Sequence, residues 1–551
     1  MRLKKFMGAL VALGLVLAAC STSSPSAGPS GSSAASPQAA DQVLRVDLGA
    51  EPPTLDPTHV QATDSASIQV IRSLTFPLAY FDKDLNVVPG LASSWDVAPD
   101  GTKITFHLKD GIKYSNGDPI VAADFVYSWR RLASPKEAAG YSYVLSYVRG
   151  YNEIQAIDPA KLTDADLEKL GVSAPDPQTF VVDLTQPASF FVYIATLWVT
   201  VPEKPTFTWA EAPGYVSSGP MIMTKWEHSS QIVLEPNPNW TGEPVRIARI
   251  EMSMIDDPTA SLAAYQANQL DIRDVPAAEV QRVKNDSTLS AELIPGDVLS
   301  ITYFGFDMKD PNGPFARSLL LRKAFSEAID KETMIKTTFD NTGTVANSLV
   351  PPGMPGFEKD LNPYPYNLDQ ARKDFAAGLA ELGKKASDLK LEVGYNTGAD
   401  WEGRVAFLQE SWRTAFGIDV KPVGLEWGAY LPRLAENPFD IFRLGFPANY
   451  PHPNNFLTDL ISCISGNNYM AYCNPQVDAL LSAAASKATL DEQVPLYNQA
   501  QEMVMADAPI IPLRFSQRFT LVKSWVQNLV ATSQDSSTGE LFYAWVTIAA
   551  H

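Results

Sequence analysis

Cys20 is the first residue of this chain to which a chemistry can be assigned. It follows Leu17, Ala18 and Ala19 at the end of an apolar run over residues 6–19, and that run follows Arg2, Lys4 and Lys5. The run is about 14 residues long, short of the ~20 a spanning helix needs, so residues 1–19 read as a secretory signal. Small residues directly before a cysteine have the pattern of a bacterial lipobox, in which the thiol is acylated and Cys20 becomes the new N-terminus. The rival is an ordinary secretory signal with a chance cysteine. Two or more acyl chains hold stably, since each buried methylene adds ~0.8 kcal/mol. The other two of the three cysteines, Cys463 and Cys473, then stand in an oxidising compartment, where a disulfide is expected. Closing a loop of about 10 residues would stabilise by about 3 kcal/mol. The alternative, zinc, has only two sulfurs to work with, and the nearest histidine in sequence is His452.

No catalytic constellation is legible. His59, His107, His228, His452 and His551 are scattered, with no His-Glu-x-x-His pair, so no metal is expected. There is no Gly-x-Ser-x-Gly elbow, phosphate-binding glycine loop or dinucleotide fingerprint, so no cofactor is expected either. Asp256-Asp257 is a carboxylate pair, but neighbours in a chain with 62 acidic residues say little about glycosidase geometry. A secreted hydrolase remains the reading from another functional class, and the missing motifs argue against it. The net charge is -19, and losing the signal's cations takes it to roughly -22. With no Lys/Arg cluster after the signal, nucleic acid is not an expected partner.

The elements that must position a site follow from periodicity. Residues 20–42, beginning at Cys20, are mostly Ser, Ala, Pro and Gly and form a tether spanning roughly 25 Å. Residues 43–49 alternate as a strand, residues 65–74 are helical, and Ile104, Phe106 and Leu108 share one face of a strand whose other face carries His107. Asp124 opens a helix with Phe125, Trp129 and Leu132 inward, which makes Trp129 core. Residues 316–336 read as one amphipathic helix, with Leu321, Phe325, Ala328 and Ile329 inward and Lys323, Glu327, Asp330 and Lys331 outward. Helices at 369–382 and 404–416 alternate with strands at 389–395 and 419–426, which implies sheets covered by helices. The best spanning candidate, residues 190–201, is about 12 residues long and contains two threonines, too short to cross a bilayer.

An ordered set of segments resembles the extracytoplasmic solute-binding lipoproteins of ABC importers, in the oligopeptide- and dipeptide-binding family (family 5). The early segments are Leu55-Asp56-Pro57, Leu91-Ala92-Ser93-Ser94-Trp95, residues 105–114, Asn116-Gly117-Asp118-Pro119 and Asp124 to Trp129. Asn237-Pro238-Asn239-Trp240, Arg322-Lys323-Ala324-Phe325, Ala448-Asn449-Tyr450-Pro451, Asn455-Phe456-Leu457 and Asn474-Pro475 follow in order. The resemblance implies an α/β fold: a two-lobed periplasmic-binding-protein-like clamp of mixed sheets covered by helices, with a subdomain inserted in the first lobe. It divides the chain into a lobe I core (43–79, 206–305 and 511–551), the inserted subdomain (80–205) and lobe II (306–510). The hinge is placed near residues 301–306 and 508–512.

The resemblance also implies that a peptide is held as an added strand and delivered to ABC permease subunits. The body would be a monomer, lipid-anchored on the outer face of the bacterial cytoplasmic membrane. One ligand strand maps onto residues 61–63, with Gln61 and Thr63, and a contacting aromatic maps onto Tyr141. The opposite strand maps onto Arg443, Gly445, Phe446 and Asn449, where a glycine lets another backbone approach. Trp401, Trp427 and Phe446 line the cleft or form interdomain core, while Arg404 and Arg443 meet a ligand carboxylate or form surface ion pairs. The chain departs from the family twice. Asn449 stands where peptide binders place an aspartate, and a neutral amide cannot neutralise a ligand's α-ammonium. Pro447 lacks an N–H to donate. An oligosaccharide or other non-peptide solute is therefore the runner-up ligand.

Overall fold

Period-two and period-3.6 patterns become elements largely where the sequence puts them. Strand Lys103–Leu108 buries Ile104, Phe106 and Leu108, while His107 faces outward and meets Asp96 at 2.9 Å. Helix Ser65–Leu74 begins at Asp64, whose carboxylate accepts from the Ser67 N–H. Helix Ala122–Leu132 starts two residues before Asp124, and the Asp124 carboxylate reaches back to the Val121 N–H at 3.0 Å. That bond satisfies one of the orphan donors of the first turn. Trp129 is wholly buried, and its indole N–H donates to the Thr200 carbonyl.

This computed structural model describes residues 38–59, 64–207, 209, 214–398 and 400–551. The expected signal, Cys20, most of the tether, Gln61 and Thr63 lie outside the described residues.

One mixed sheet organises the chain. Its strands run, edge to edge, Lys421–Leu425, Glu392–Asn396, Ile441–Pro447, Leu293–Phe306, Ile510–Val522, Ile272–Asp274, Val43–Asp47, Arg249–Ser253, Gln231–Pro236 and Met221–Glu227. The two long central strands are antiparallel and common to both halves. Leu293 to Asp297 pair with Leu521 to Gln517, and Ile301 to Gly305 pair with Phe515 to Ile510. The ladder is interrupted between these stretches, with residues 298–300 opposite a single residue of the partner strand. A separate four-stranded sheet runs in the order Ala92–Val97, Lys103–Leu108, Thr179–Asp183, Val172–Asp176. The result is a two-lobed clamp of mixed sheets covered by helices.

Strand alternation feeds two cores. Ile301 and Tyr303 join the cluster of Phe442, Phe456 and Tyr497, whereas Phe304 and Phe306 join that of Phe325, Trp401 and Trp412. Successive side chains point to opposite faces, so one strand holds both cores.

The expected single helix over residues 316–336 is corrected. The segment is three helices, Pro314–Arg317, Leu319–Glu327 and Lys331–Thr338. Ser318 caps the second by accepting from Leu321 N–H, and Asp330 caps the third by accepting from Thr333 N–H. Leu321, Phe325, Ala328 and Ile329 are buried as expected, but so are Glu327 and Lys331. Lys331 turns inward because its ammonium finds the Ala346 carbonyl at 3.1 Å and Asn347 Oδ1 at 3.2 Å. Residues 190–201 are two buried 3-10 turns, and no described helix is long and apolar enough to cross a membrane. Cys463 and Cys473 are brought together with Cα atoms 4.5 Å apart, within the range a disulfide requires.

Candidate functional site

Strand Ile441–Pro447 is paired along one edge by Leu293–Phe306, from Phe306↔Ile441 to Ser300↔Pro447. Its other edge is covered only at Ile441 and Phe442, by Val393 and Gly394. From Arg443 onward no neighbouring strand among the described residues covers that edge. Gly445 is exposed there, and a Cβ on it would meet nothing closer than 3.4 Å. Packing within the protein therefore does not demand a glycine at this position.

Below the strand, three arginines gather around two aromatic rings. Arg443 lies 4.2 Å from the centroid of Trp401, and Arg404 lies 4.9 Å from Trp401 and 4.1 Å from Phe339. Arg514 stacks on Phe339 at 4.8 Å, and Phe339 meets Trp401 edge-on at 5.9 Å. Trp401, 3% exposed, is thus a buried platform for guanidinium groups, and its ring is covered before any ligand arrives. Arg443 Nη1 donates to Asn396 Oδ1 at 2.9 Å, while its buried Nε has no partner. Arg404 Nε donates to the Thr338 carbonyl and Arg514 Nε to the Thr342 carbonyl. Among the described residues no carboxylate lies within ion-pair distance of Arg443 or Arg514. Burial, with Arg404 repelling each, pulls both guanidiniums down to about 10. Such a cluster has a reason to hold an anion: a carboxylate would relieve the mutual repulsion and form charge-assisted bonds.

The far end of the strand is a polar junction. Asn449 Oδ1 accepts from the Tyr143 hydroxyl at 3.0 Å, its N–H donates to Asn455 Oδ1, and its carbonyl accepts from Gln534. Tyr143 stacks on Tyr141 at 5.7 Å, and Tyr141 meets Trp198 edge-on at 4.7 Å. Tyr141 and Asn449, expected on opposite sides of a ligand, therefore belong to one neighbourhood. Asp459, near this junction, is half-buried and accepts from Tyr147, Tyr450 and Asn455. Burial pushes its carboxyl up to about 6.

The remaining expected residues flank the strand. Trp427 is 44% exposed at the start of helix Trp427–Glu436, tied to the strand through Tyr430, whose hydroxyl donates to the Arg443 carbonyl at 2.8 Å. Phe446 is half-buried against Phe456. Phe339, Asn396, Arg514 and Tyr143 complete the arrangement and were not singled out from sequence. Arg514 had the clearest signal, a lone cation within the apolar run Ile510–Leu513 and Phe515. Among the described residues no cluster of three or more His, Cys, Asp or Glu could hold a metal ion.

Two lobes joined by paired strands, with an uncovered strand edge over a cationic and aromatic floor, define a solute-binding protein of the clamp class. The comparisons with known proteins agree with that class. Residues 86–468 match the bacterial extracellular solute-binding proteins, family 5 (middle region), and the chain belongs to that family. The oligopeptide-binding protein OppA of Bacillus subtilis is 29% identical over 520 residues, covering 91% of each chain. The unliganded open form of the murein tripeptide-binding protein MppA superposes with a TM-score of 0.80 at 25% identity, covering 95% of this chain and 99% of its own. Haemophilus influenzae OppA in complex with the peptide RPPGFSPFR gives a TM-score of 0.70 at 25% identity, covering 93% of this chain and all of that one.

Proposed function

We propose that this protein is the substrate-binding component of an ABC importer that captures oligopeptides or dipeptides outside the cell and delivers them to the membrane permease. The observation that carries the reading is the uncovered edge of residues 443–447 beside Arg443 and Arg514, neither of which has a carboxylate within ion-pair distance among the described residues. A peptide lies along that edge as an added strand, with Gly445 allowing its backbone to approach, and its terminal carboxylate meets Arg443 and Arg514. Tyr141, Trp427 and Phe446 contact its side chains, and residues 61–63 supply the opposing strand. Lobe II, residues 306–510, closes onto lobe I about the paired central strands. The protein works as a monomer and catalyses no reaction. Acylated Cys20 and the tether keep it on the outer face of the cytoplasmic membrane, and a Cys463–Cys473 disulfide stiffens the loop between those residues.

The neutral Asn449, already bonded to Tyr143, favours a second reading in which the solute lacks a free amino group, such as an oligosaccharide. Mass spectrometry of material released from the purified, denatured protein separates the two. Peptides support the first reading, whereas glycans in their place overturn it.

A further inference from the structure

A cavity of about 510 Å³ opens in the first lobe and shares no lining residue with the cleft. Six aromatic residues line it: Phe76, Tyr80, Phe81, Trp240, Phe542 and Trp545. Phe76 stacks on Tyr80 at 4.5 Å and meets Trp240 edge-on at 4.9 Å, while Tyr80 meets Phe542 at 5.9 Å and Trp545 at 6.3 Å. The polar tips of these rings are occupied. Tyr80 donates to the Leu541 carbonyl, and the indole N–H groups of Trp240 and Trp545 both donate to the Glu243 carbonyl, at 2.9 and 3.4 Å. The rings are therefore held in place and offer the hollow their apolar surfaces. Its size falls in the ~300–1,000 Å³ range of small-molecule sites.

The charges on the wall are unequal. Arg246 pairs with Glu243 at 3.1 Å and Lys83 with Asp84 at 2.6 Å. Asp82 is occupied by the Asn86 side chain and by the N–H groups of Asp84 and Asn86. Lys109 is different: it is half-buried, with no carboxylate in ion-pair distance among the described residues. Burial alone lowers its affinity for its proton, with no acid offsetting the effect. A half-buried ammonium without a counter-ion beside an apolar chamber is a costly arrangement unless something anionic completes it.

We propose that this cavity is a second ligand site, distinct from the cleft, for an aromatic carboxylate whose rings pack among Tyr80, Trp240 and Trp545 and whose carboxylate meets Lys109. The apolar body supplies most of the binding through burial, and the ammonium selects for charge.

The test is titration of the full chain with 1-naphthoate, followed by calorimetry and by tryptophan fluorescence. One equivalent binds, the fluorescence changes, and the uncharged 1-naphthamide binds about tenfold more weakly. Lys109→Gln weakens naphthoate about tenfold and leaves naphthamide unchanged, Lys109→Arg restores naphthoate, and Arg443→Ala in the cleft has no effect. Circular dichroism checks that each variant is folded. Absence of naphthoate binding at millimolar concentration, or loss on Arg443→Ala with none on Lys109→Gln, overturns the proposal.

Discussion

Replacing Arg443 with methionine separates the role of its charge from the role of its bulk. In the free protein Arg443 is poorly placed for stability: its Nε is buried without a partner and Arg404 repels it. Methionine keeps much of the stem that packs on Trp401, and loses the ring–cation contact and the bond to Asn396. These losses are offset by relief of repulsion among the arginines, so the midpoint of thermal unfolding shifts by less than about 3 °C. Binding behaves differently. A charge-assisted bond between guanidinium and carboxylate contributes about 1.5–3 kcal/mol, or roughly 10- to 150-fold in Kd. Calorimetric titration with trialanine and with its C-terminal amide measures this directly. The native protein prefers the free acid by a factor in that range, and in Arg443→Met the preference shrinks toward what Arg514 alone provides. An acid-to-amide ratio unchanged by the substitution would refute carboxylate recognition at this cluster.

Asn449→Asp should favour peptides with a free amino terminus over acetylated ones by about tenfold, while the Tyr143 bond persists; equal affinities in the variant would remove the account of position 449. Lys331 is pulled down to about 7 by burial, so between that pH and its ordinary value of 10.5 the unfolded chain binds a proton that the native state lacks. Native stability therefore rises with pH across that window, and a difference profile between the native protein and Lys331→Met, from urea unfolding at each pH, should show this slope vanish. Replacing Cys463 and Cys473 with serine should lower stability by about 3 kcal/mol, matching the effect of reductant on the native protein. A native unfolding transition indifferent to reductant contradicts the disulfide.

Local pattern and long-range contact divide what the sequence disclosed. The inward face of Ile104, Phe106 and Leu108, the helix over residues 65–74 and the burial of Trp129 were legible because each depends on spacing within a few residues. The break at Ala328 to Asp330 was hidden because the apolar period runs straight across it, and only the caps at Ser318 and Asp330 mark the ends. Lys331 and Glu327 looked solvent-facing because their spacing is that of an exposed helical stripe; the carbonyl of Ala346 that draws Lys331 inward comes from beyond the helix. In the candidate site, Arg443 and Asn449 were found through family pattern. Arg514 and Phe339 were missed because they reach Arg404 and Trp401 from distant parts of the sequence, and spacing carries no trace of such a meeting.

The interrupted ladder between the central strands also bears on mechanics. Residues 298–300 make no ladder pairing with Ile510–Val522, a second register shift falls between Thr302 and Tyr303, and Ser300 pairs instead with Pro447 on the other edge. Bending at residues 298–300 breaks no pairing between the two central strands, and instead strains the bonds from Leu299 N–H to the Ser533 carbonyl and from Ala448 N–H to the Leu299 carbonyl. If the clamp bends at this point, its restoring force comes from those flanking bonds and not from the central ladder, and they set the differential affinity a solute needs to shift which shape is populated.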